Sequence, residues 1–259
     1  MTSRTQLTAI VTDLRIGLSL ATILPLGPST PVGDGDIARA GWTLPVAGLL
    51  VGLLGAAVYA LAFVLGVTPG PAALLALAST IIVTGALHED GLADAADGLG
   101  GGTRARKLEI MRDSRIGSFG VCALIISLTL RWSAVAAIAA PRSVLIALLL
   151  AHVAARAGLP LFMALVPPAR TDGLSAGAGR PAGANAAIAL GLGALALAIG
   201  FGPGKAILAV ILLAFIGLLT TWLAIRQLGG QTGDILGAYE QVAETAILLM
   251  AASLFHTSP

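Results

Sequence analysis

Long apolar runs alternate along the chain with short polar breaks. No charged residue occurs from Gly41 to Leu87, and 181–204 and 206–225 are likewise uncharged. Such runs match the roughly 20 residues that carry a helix across a bilayer. They are continuously apolar rather than alternating with period two, which excludes a membrane barrel and predicts helices. The pattern places spans at 43–66, 72–87, 118–138, 143–166, 184–201 and 206–226, and a last helix at 235–256. Thr68-Pro-Gly-Pro71, Pro141, Pro167-Pro168 and Gly202-Pro-Gly204 supply the breaks. Ser118 is the expected N-cap of the third span. Residues 7–26 are weaker, because Asp13 and Arg15 interrupt them and Pro25 ends them. That segment is left open between spanning, re-entering and lying at the interface. A Pro/Gly-rich connection from Leu24 to Gly35, with Asp34 and then Asp36, follows it. The expected fold is an all-α, polytopic membrane bundle of about six to eight segments, read as one membrane-embedded domain over residues 1–259.

Composition agrees with this pattern. Hydrophobic residues make up 57% of the chain and charged residues 11%, against about a quarter charged in soluble domains. A formal charge of +2 reflects scarcity of charge, so nothing points to nucleic acid. The one cysteine, Cys122, rules out an internal disulfide and is expected to pack in the core. No signal peptide is read at the N-terminus. If the first segment does not cross, the loops at 27–42, 88–117, 167–183 and 227–234 share one face. They hold Arg39, Arg104, Arg106, Lys107, Arg112, Arg115, Arg170 and Arg180, against Arg142 and Lys205 opposite. The positive-inside rule makes that face cytoplasmic and places the active site there.

The polar chemistry is concentrated in one stretch, His88 to Gly117. Six of the thirteen acidic residues fall there, with five of the fifteen basic ones. Asp90, Asp94 and Asp97 stand at i, i+4 and i+7, one narrow face of a helix, where bare carboxylates repel. A divalent cation removes the conflict. Mg²⁺ suits hard oxygen ligands shared with substrate phosphates. Gly98 and Gly100 to Gly102 are expected to let backbone N–H groups approach an anion, and Arg104, Arg106 and Lys107 add positive charge. The parts describe a metal-assisted diphosphate site. His88 reads as a ligand orienter, a base or an interfacial side chain, and Glu89, about 100° off the aspartate face, as supporting or exposed. Arg112, Asp113 and Arg115 read as phosphate-binding or as a local ion-pair knot, and Asp234 as functional or as a helix N-cap.

Glu240 and Glu244 form an i, i+4 pair within the last apolar helix, where an acid costs on the order of 3 kcal/mol to insert and normally faces a partner or cavity. Glu240, nearer the polar face, is expected to act in the site. Glu244 is expected to be neutral or paired with an intramembrane arginine such as Arg156. Arg131 and Arg156 are intramembrane cations by the same argument.

Three motifs, His88-Glu-Asp-Gly-Leu-Ala-Asp-Ala-Ala-Asp-Gly98, Met111-Arg-Asp-Ser-Arg-Ile-Gly117 and Gly229-Gly-Gln-Thr-Gly-Asp-Ile-Leu-Gly237, resemble those of the cobalamin synthase (adenosylcobinamide-GDP ribazoletransferase) family. Leu24-Pro-Leu-Gly-Pro28, Leu44-Pro-Val-Ala-Gly48 and the surroundings of Arg156 are similar more weakly. Glu89 and Ala95 depart from the family's pattern of leucine and a hydroxyl residue. The resemblance implies a multi-pass inner-membrane transferase that requires Mg²⁺. It joins adenosylcobinamide-GDP to α-ribazole, or α-ribazole 5′-phosphate, and releases GMP. It implies Asp90, Asp94 and Asp97 as metal ligands. His88, Arg112, Asp113, Arg115 and Glu240 are then catalytic, with His88 or Asp113 as base. The resemblance also places Gln231 and Asp234 in the site, and with Gly100, Gly101 and Arg104, read above as part of the diphosphate site, they form the expected binding set. Self-association and the residues that hold the corrinoid are left open. The rival readings are a lipid-type or prenyl diphosphate transferase and a cation transporter. The motif spacings of the first are missing, and the transporter predicts acids at midplane in several helices, where only Glu240 and Glu244 fit.

Overall fold

The computed structural model describes residues 3–28, 31–33 and 35–255. Asp34 of the predicted connection and His256, at the predicted end of the last helix, lie outside these. Helices α1 (Ser3–Ala21) and α2 (Asp36–Ala40) and a 3₁₀ turn (Gly41–Thr43) lead into α3 (Leu44–Val64). Next come α4 (Pro69–Thr84), α5 (Leu87–Leu99), α6 (Arg104–Ile110) and α7 (Ser118–Ile138). Then follow α8 (Pro141–Ala157), α9 (Leu159–Leu165), α10 (Leu174–Gly177) and α11 (Gly183–Phe201). The chain ends with α12 (Pro203–Leu223), a π-helical turn (Ala224–Leu228) and α13 (Gly233–Phe255). Six of these units are long and apolar enough to cross a membrane, and α4 with α5 makes up to a seventh. The protein is an all-α, polytopic membrane protein.

Between lipid-immersed helices there is little hydrophobic driving force, so close approach through small residues decides packing. Gly48, Gly52 and Gly55 line one side of α3. A Cβ on Gly48 would lie 2.2 Å from the His152 carbonyl, and one on Gly52 would lie 2.9 Å from that of Leu148. This brings α3 onto α8 backbone to backbone. The unit α8–α9 and the helix α13 are central, 72% and 61% buried, whereas α12 is 17% buried. The predicted fourth span is found as one unit, Pro141–Leu165, with an interruption at Gly158 between α8 and α9, where Pro160 opens the next helix and a Cβ would lie 1.9 Å from the Tyr239 hydroxyl.

The second predicted span ends early. Gly85 and Ala86 both adopt left-handed backbone, φ 63° and 56°, and the chain turns by 87° into α5. We read α5 as running along the polar end of the bundle, outside the membrane-spanning segments. Helix α1 lies at that same end. Its Asp13 accepts from Arg39 of α2 and from Trp42 Nε1 (3.0 Å) of the 3₁₀ turn that leads into α3. Just past α1, Ile23 N donates to Val83 O (2.9 Å) at the end of α4. The middle and the C-terminal end of α1 are thus tied to that face, and α1 is not among the helices apolar enough to span; we read it as lying along the face.

Two further expectations are corrected. Gly117, not Ser118, is the N-cap of α7, because Asp97 reaches over from α5 to accept from Gly117 N (2.6 Å) and Gly120 N (2.9 Å). Cys122 is exposed on the outer side of α7 rather than packed in the core.

Candidate active site

Helices α5 and α13 cross through glycines. A Cβ on Gly91 would lie 3.1 Å from Gly237 Cα and 3.1 Å from Asp234 O, so larger residues would hold the helices apart. The crossing sets Asp90 and Asp94 of α5 beside Asp234 in the first turn of α13. Partial burial raises the Asp94 carboxyl to about 6, assisted by the charges of Asp90, Asp234 and Asp97 and opposed by Arg170. Asp234 is not the N-cap: the Thr232 hydroxyl accepts from Ile235 N (3.2 Å), and Asp234 accepts from Arg170 Nη2 (2.9 Å).

Arg170 belongs to the loop between α9 and α10, which is fixed to the start of α13. Gln231 N donates to Pro167 O (2.8 Å) and Ala169 N to Gln231 O (2.7 Å). Arg104 ties the same region, donating from Nε to Leu228 O (2.6 Å) and from Nη2 to Ala169 O (3.1 Å). Its guanidinium therefore braces loops rather than facing a ligand. The N–H groups of Gly100 and Gly101 bond to Asp97 O and Gly98 O at the end of α5, so the expected anion cradle is not offered by them. The Gln231 side chain is buried beside Ser175, and Gln231 Oε1 and Ser175 Oγ are both without partners.

A cavity of about 270 Å³ opens between these elements. Its polar wall is His88, Asp90, Arg156, Arg170 and Asp234. Behind it lies a buried ion network that joins four helices. Arg156 Nη1 contacts Glu240 (2.6 Å), and Glu240 lies 3.5 Å from His88 Nδ1. Arg131 pairs with Glu244 (3.0 Å) and Glu89 (3.1 Å), and Glu244 with His152 Nδ1 (2.9 Å). The expected pairing of Glu244 with an intramembrane arginine is found, with Arg131 as the near partner; Arg156 belongs chiefly to Glu240 and lies 3.9 Å from Glu244. Glu89, left open in the sequence, is buried. His152, Glu240 and Glu244 are also the one trio of ligating side chains, among the described residues, whose donor atoms lie within 4.8 Å of one another. The two guanidiniums already occupy these carboxylates, so this trio is an ion-pair cluster rather than a metal cage.

Arg112, Asp113 and Arg115 do not line the cavity. Arg112 pairs with Asp172, and Arg115 Nη2 with Asp113 (2.7 Å), both at the surface. Hydrogen bonds from Arg115 hold the Asp113 carboxyl down at about 2, far below what a general base needs near neutral pH. Arg170 and His152 are the participants that sequence reasoning left out of the site. His152 stands at i−4 from Arg156 in an apolar span, a signal that was available.

Comparison with known proteins now decides the family. The family described as cobalamin-5-phosphate synthase matches residues 13–252. The chain belongs to that family. Among curated relatives, an adenosylcobinamide-GDP ribazoletransferase of Bradyrhizobium diazoefficiens is 65% identical over 94% of each chain. Those of Mesorhizobium japonicum (50%, covering 94% of this chain and 93% of the relative) and Azorhizobium caulinodans (46%, 83% and 84%) follow. No solved structure matches. As a member of the cobalamin-5-phosphate synthase family the protein is an enzyme, a transferase. The acid set suits a hard divalent ion in the way Mg²⁺ is usually held, by one or two carboxylates with water and substrate phosphate completing the shell. Asp90, Asp94 and Asp234 do not close into a preformed cage, but carboxylates grouped near Asp94 could supply one or two such ligands, and the mutual charge raising Asp94 is what such an ion would relieve. Asp97 is near enough for its charge to raise Asp94, but its two oxygens accept from Gly117 N and Gly120 N at the start of α7.

Proposed function

We propose that this synthase-family member joins adenosylcobinamide-GDP to α-ribazole, or α-ribazole 5′-phosphate. The products are adenosylcobalamin, or its 5′-phosphate, and GMP. The reaction would run with Mg²⁺ at the cytoplasmic face of the inner membrane. The observation that carries this reading is the meeting of Asp90, Asp234 and Arg170 on the cavity wall, with Asp94 beside them, on the face rich in arginine and lysine. When bound, Mg²⁺ would neutralise charge on the diphosphate and on the departing phosphate. Asp90, Asp94 and Asp234 would hold it, and Arg170 is placed to take a phosphate oxygen.

A ribose hydroxyl of the acceptor other than the 5′ one, since the 5′-phosphate of the phosphorylated acceptor survives into its product, forms a bond to the cobinamide-side phosphorus as the bond to GMP breaks. The hydroxyl proton needs an acceptor, and His88 is the basic group on the cavity wall. A base role requires the tautomer with Nδ1–H facing Glu240 (3.5 Å), which leaves Nε2 its lone pair; the other tautomer, in which Nδ1 accepts from Arg156 Nη2 (3.4 Å), does not supply it. Glu240 and Arg156 then act through His88. The deciding assay supplies membranes containing the protein with adenosylcobinamide-GDP, α-ribazole and Mg²⁺ and follows GMP. Release that needs both substrates supports the reading, and absence of release from folded protein overturns it. His88→Ala should lower kcat by about 10²-fold or more if His88 is the base.

A further inference from the structure

The cavity has a second wall, and nothing in the reaction scheme yet uses it. Leu20 and Ala21 of α1, Ile37 of α2, Leu44 of α3 and Leu159 and Met163 of α9 line it together with His88 and Asp90. Ala21, Leu44, Leu159 and Met163 are buried, so this is an enclosed surface rather than a stretch of lipid-facing helix. These side chains carry no hydrogen-bonding group other than the weak methionine sulfur. A guest lodged there must have few polar edges, because unpaired donors and acceptors are costly out of water.

Size narrows the guest further. About 270 Å³ lies just under the roughly 300–1,000 Å³ of pockets for drug-sized ligands, enough for a nucleoside and far too little for a corrin macrocycle. Of the two substrates in the proposed reaction, on which this inference rests, the donor contributes guanine, whose edge is full of donors and acceptors. The acceptor contributes a fused, methylated benzimidazole ring that is almost wholly apolar. We propose that this wall seats the base of the acceptor nucleoside, with Met163 and Ile37 setting which bases the enzyme takes. The ribose then points at His88 and Asp90, and the diphosphate of the donor lies above, toward Asp94 and Arg170. The corrinoid stays outside the cavity.

The test uses the full chain in detergent with two acceptors, α-ribazole and the riboside of unsubstituted benzimidazole, each varied at saturating adenosylcobinamide-GDP. A methyl-sized change in an apolar pocket alters kcat/KM by about tenfold or more. Met163→Ala should therefore raise the KM for α-ribazole by about that factor, with a smaller effect on the unsubstituted riboside and none on the KM for adenosylcobinamide-GDP. Met163→Phe should invert the preference, losing α-ribazole and keeping the smaller riboside. Ile37 is half-buried on a short surface helix, so Ile37→Ala repeats the test if Met163 variants do not accumulate. Equal effects on the two acceptors, or a KM for adenosylcobinamide-GDP that rises with that for α-ribazole, would overturn the assignment. Wild-type protein that releases no GMP removes the proposed reaction. Active wild type with variants that do not discriminate removes this inference alone.

Discussion

Asp94 shares its surroundings with three other carboxylates, and the consequence can be measured without an assay of turnover. Its carboxyl is raised to about 6 in the folded protein, against about 3.9 for an unperturbed aspartate. Between those values the folded chain binds more protons than the unfolded one, so metal-free stability falls as pH rises through that window. In chelator, the melting temperature should therefore drop from pH 5 to pH 7, and Mg²⁺ at pH 7 should restore it. Asp94→Asn should flatten the pH slope and remove most of the Mg²⁺ gain; an unchanged Mg²⁺ response would remove Asp94 from the ion's shell. Arg131 offers a second test. It is 1% exposed between Glu89 and Glu244, and removing one partner of a buried ion set costs about 3–5 kcal/mol. Arg131→Met should lose that much in thermal unfolding, and adding Glu89→Gln and Glu244→Gln should recover most of it. The acidic motif and the glutamates were legible because charge is so rare in this sequence that each instance stands out. Their partners were not. Helix spacing says that Glu240 and Glu244 share a face, but not which arginine reaches which acid, and it cannot tell that Asp97 turns to cap α7.

At the scale of elements, the apolar runs fixed the helices closely because lipid leaves a backbone few alternatives. What they did not show was how the helices meet. The bend at Gly85 and Ala86, the break at Gly158 and the seating of α1 all depend on contacts with other helices, and no local pattern encodes those. Two glycine contacts give contrasting predictions. At Gly91 an added Cβ would find Gly237 Cα and Asp234 O at 3.1 Å, a few tenths of an ångström too close. Gly91→Ala should fold but ease α5 away from α13, spoiling the alignment of Asp94 with Asp234. A misplacement of about 1 Å can cost about 10²-fold in rate, so this smaller shift should lower turnover by about tenfold with little loss of folded protein. At Gly48 the same methyl would lie 2.2 Å from the His152 carbonyl, deep in the α3–α8 contact. Gly48→Ala should fail to accumulate. Folded yield and GMP release, measured side by side, separate the two, and normal turnover in Gly91→Ala would mean that the glycine crossing does not set the acid geometry.

For the whole molecule, counting the α4–α5 pair as one crossing gives up to seven among the described residues, and with α1 read as lying flat this places both the acidic helix and the Arg170 loop at one membrane face. The same arrangement leaves Arg142 and Lys205 at the other. A site built from segments as distant in sequence as Asp90, Arg170 and Asp234 exists only if this parity holds, so topology is itself a test of the site. Introduced cysteines report it, provided that the added side chain disturbs nothing. Gly102, Gly177 and Gly204 qualify, since a Cβ at each would meet no atom within 4 Å. Gly230 does not, because a Cβ there would lie 2.3 Å from Pro167 O. Cys122 is exposed and should first be replaced by alanine. In spheroplasts, a membrane-impermeant maleimide should label Gly204→Cys at once and reach Gly102→Cys and Gly177→Cys only after the membrane is opened. The distribution of basic residues makes this the expected orientation. If all three positions report the reverse, the fold stands and the cytoplasmic assignment of the reaction falls. If Gly102→Cys and Gly177→Cys label from opposite sides, Arg170 cannot meet Asp234, and the candidate site falls with the topology.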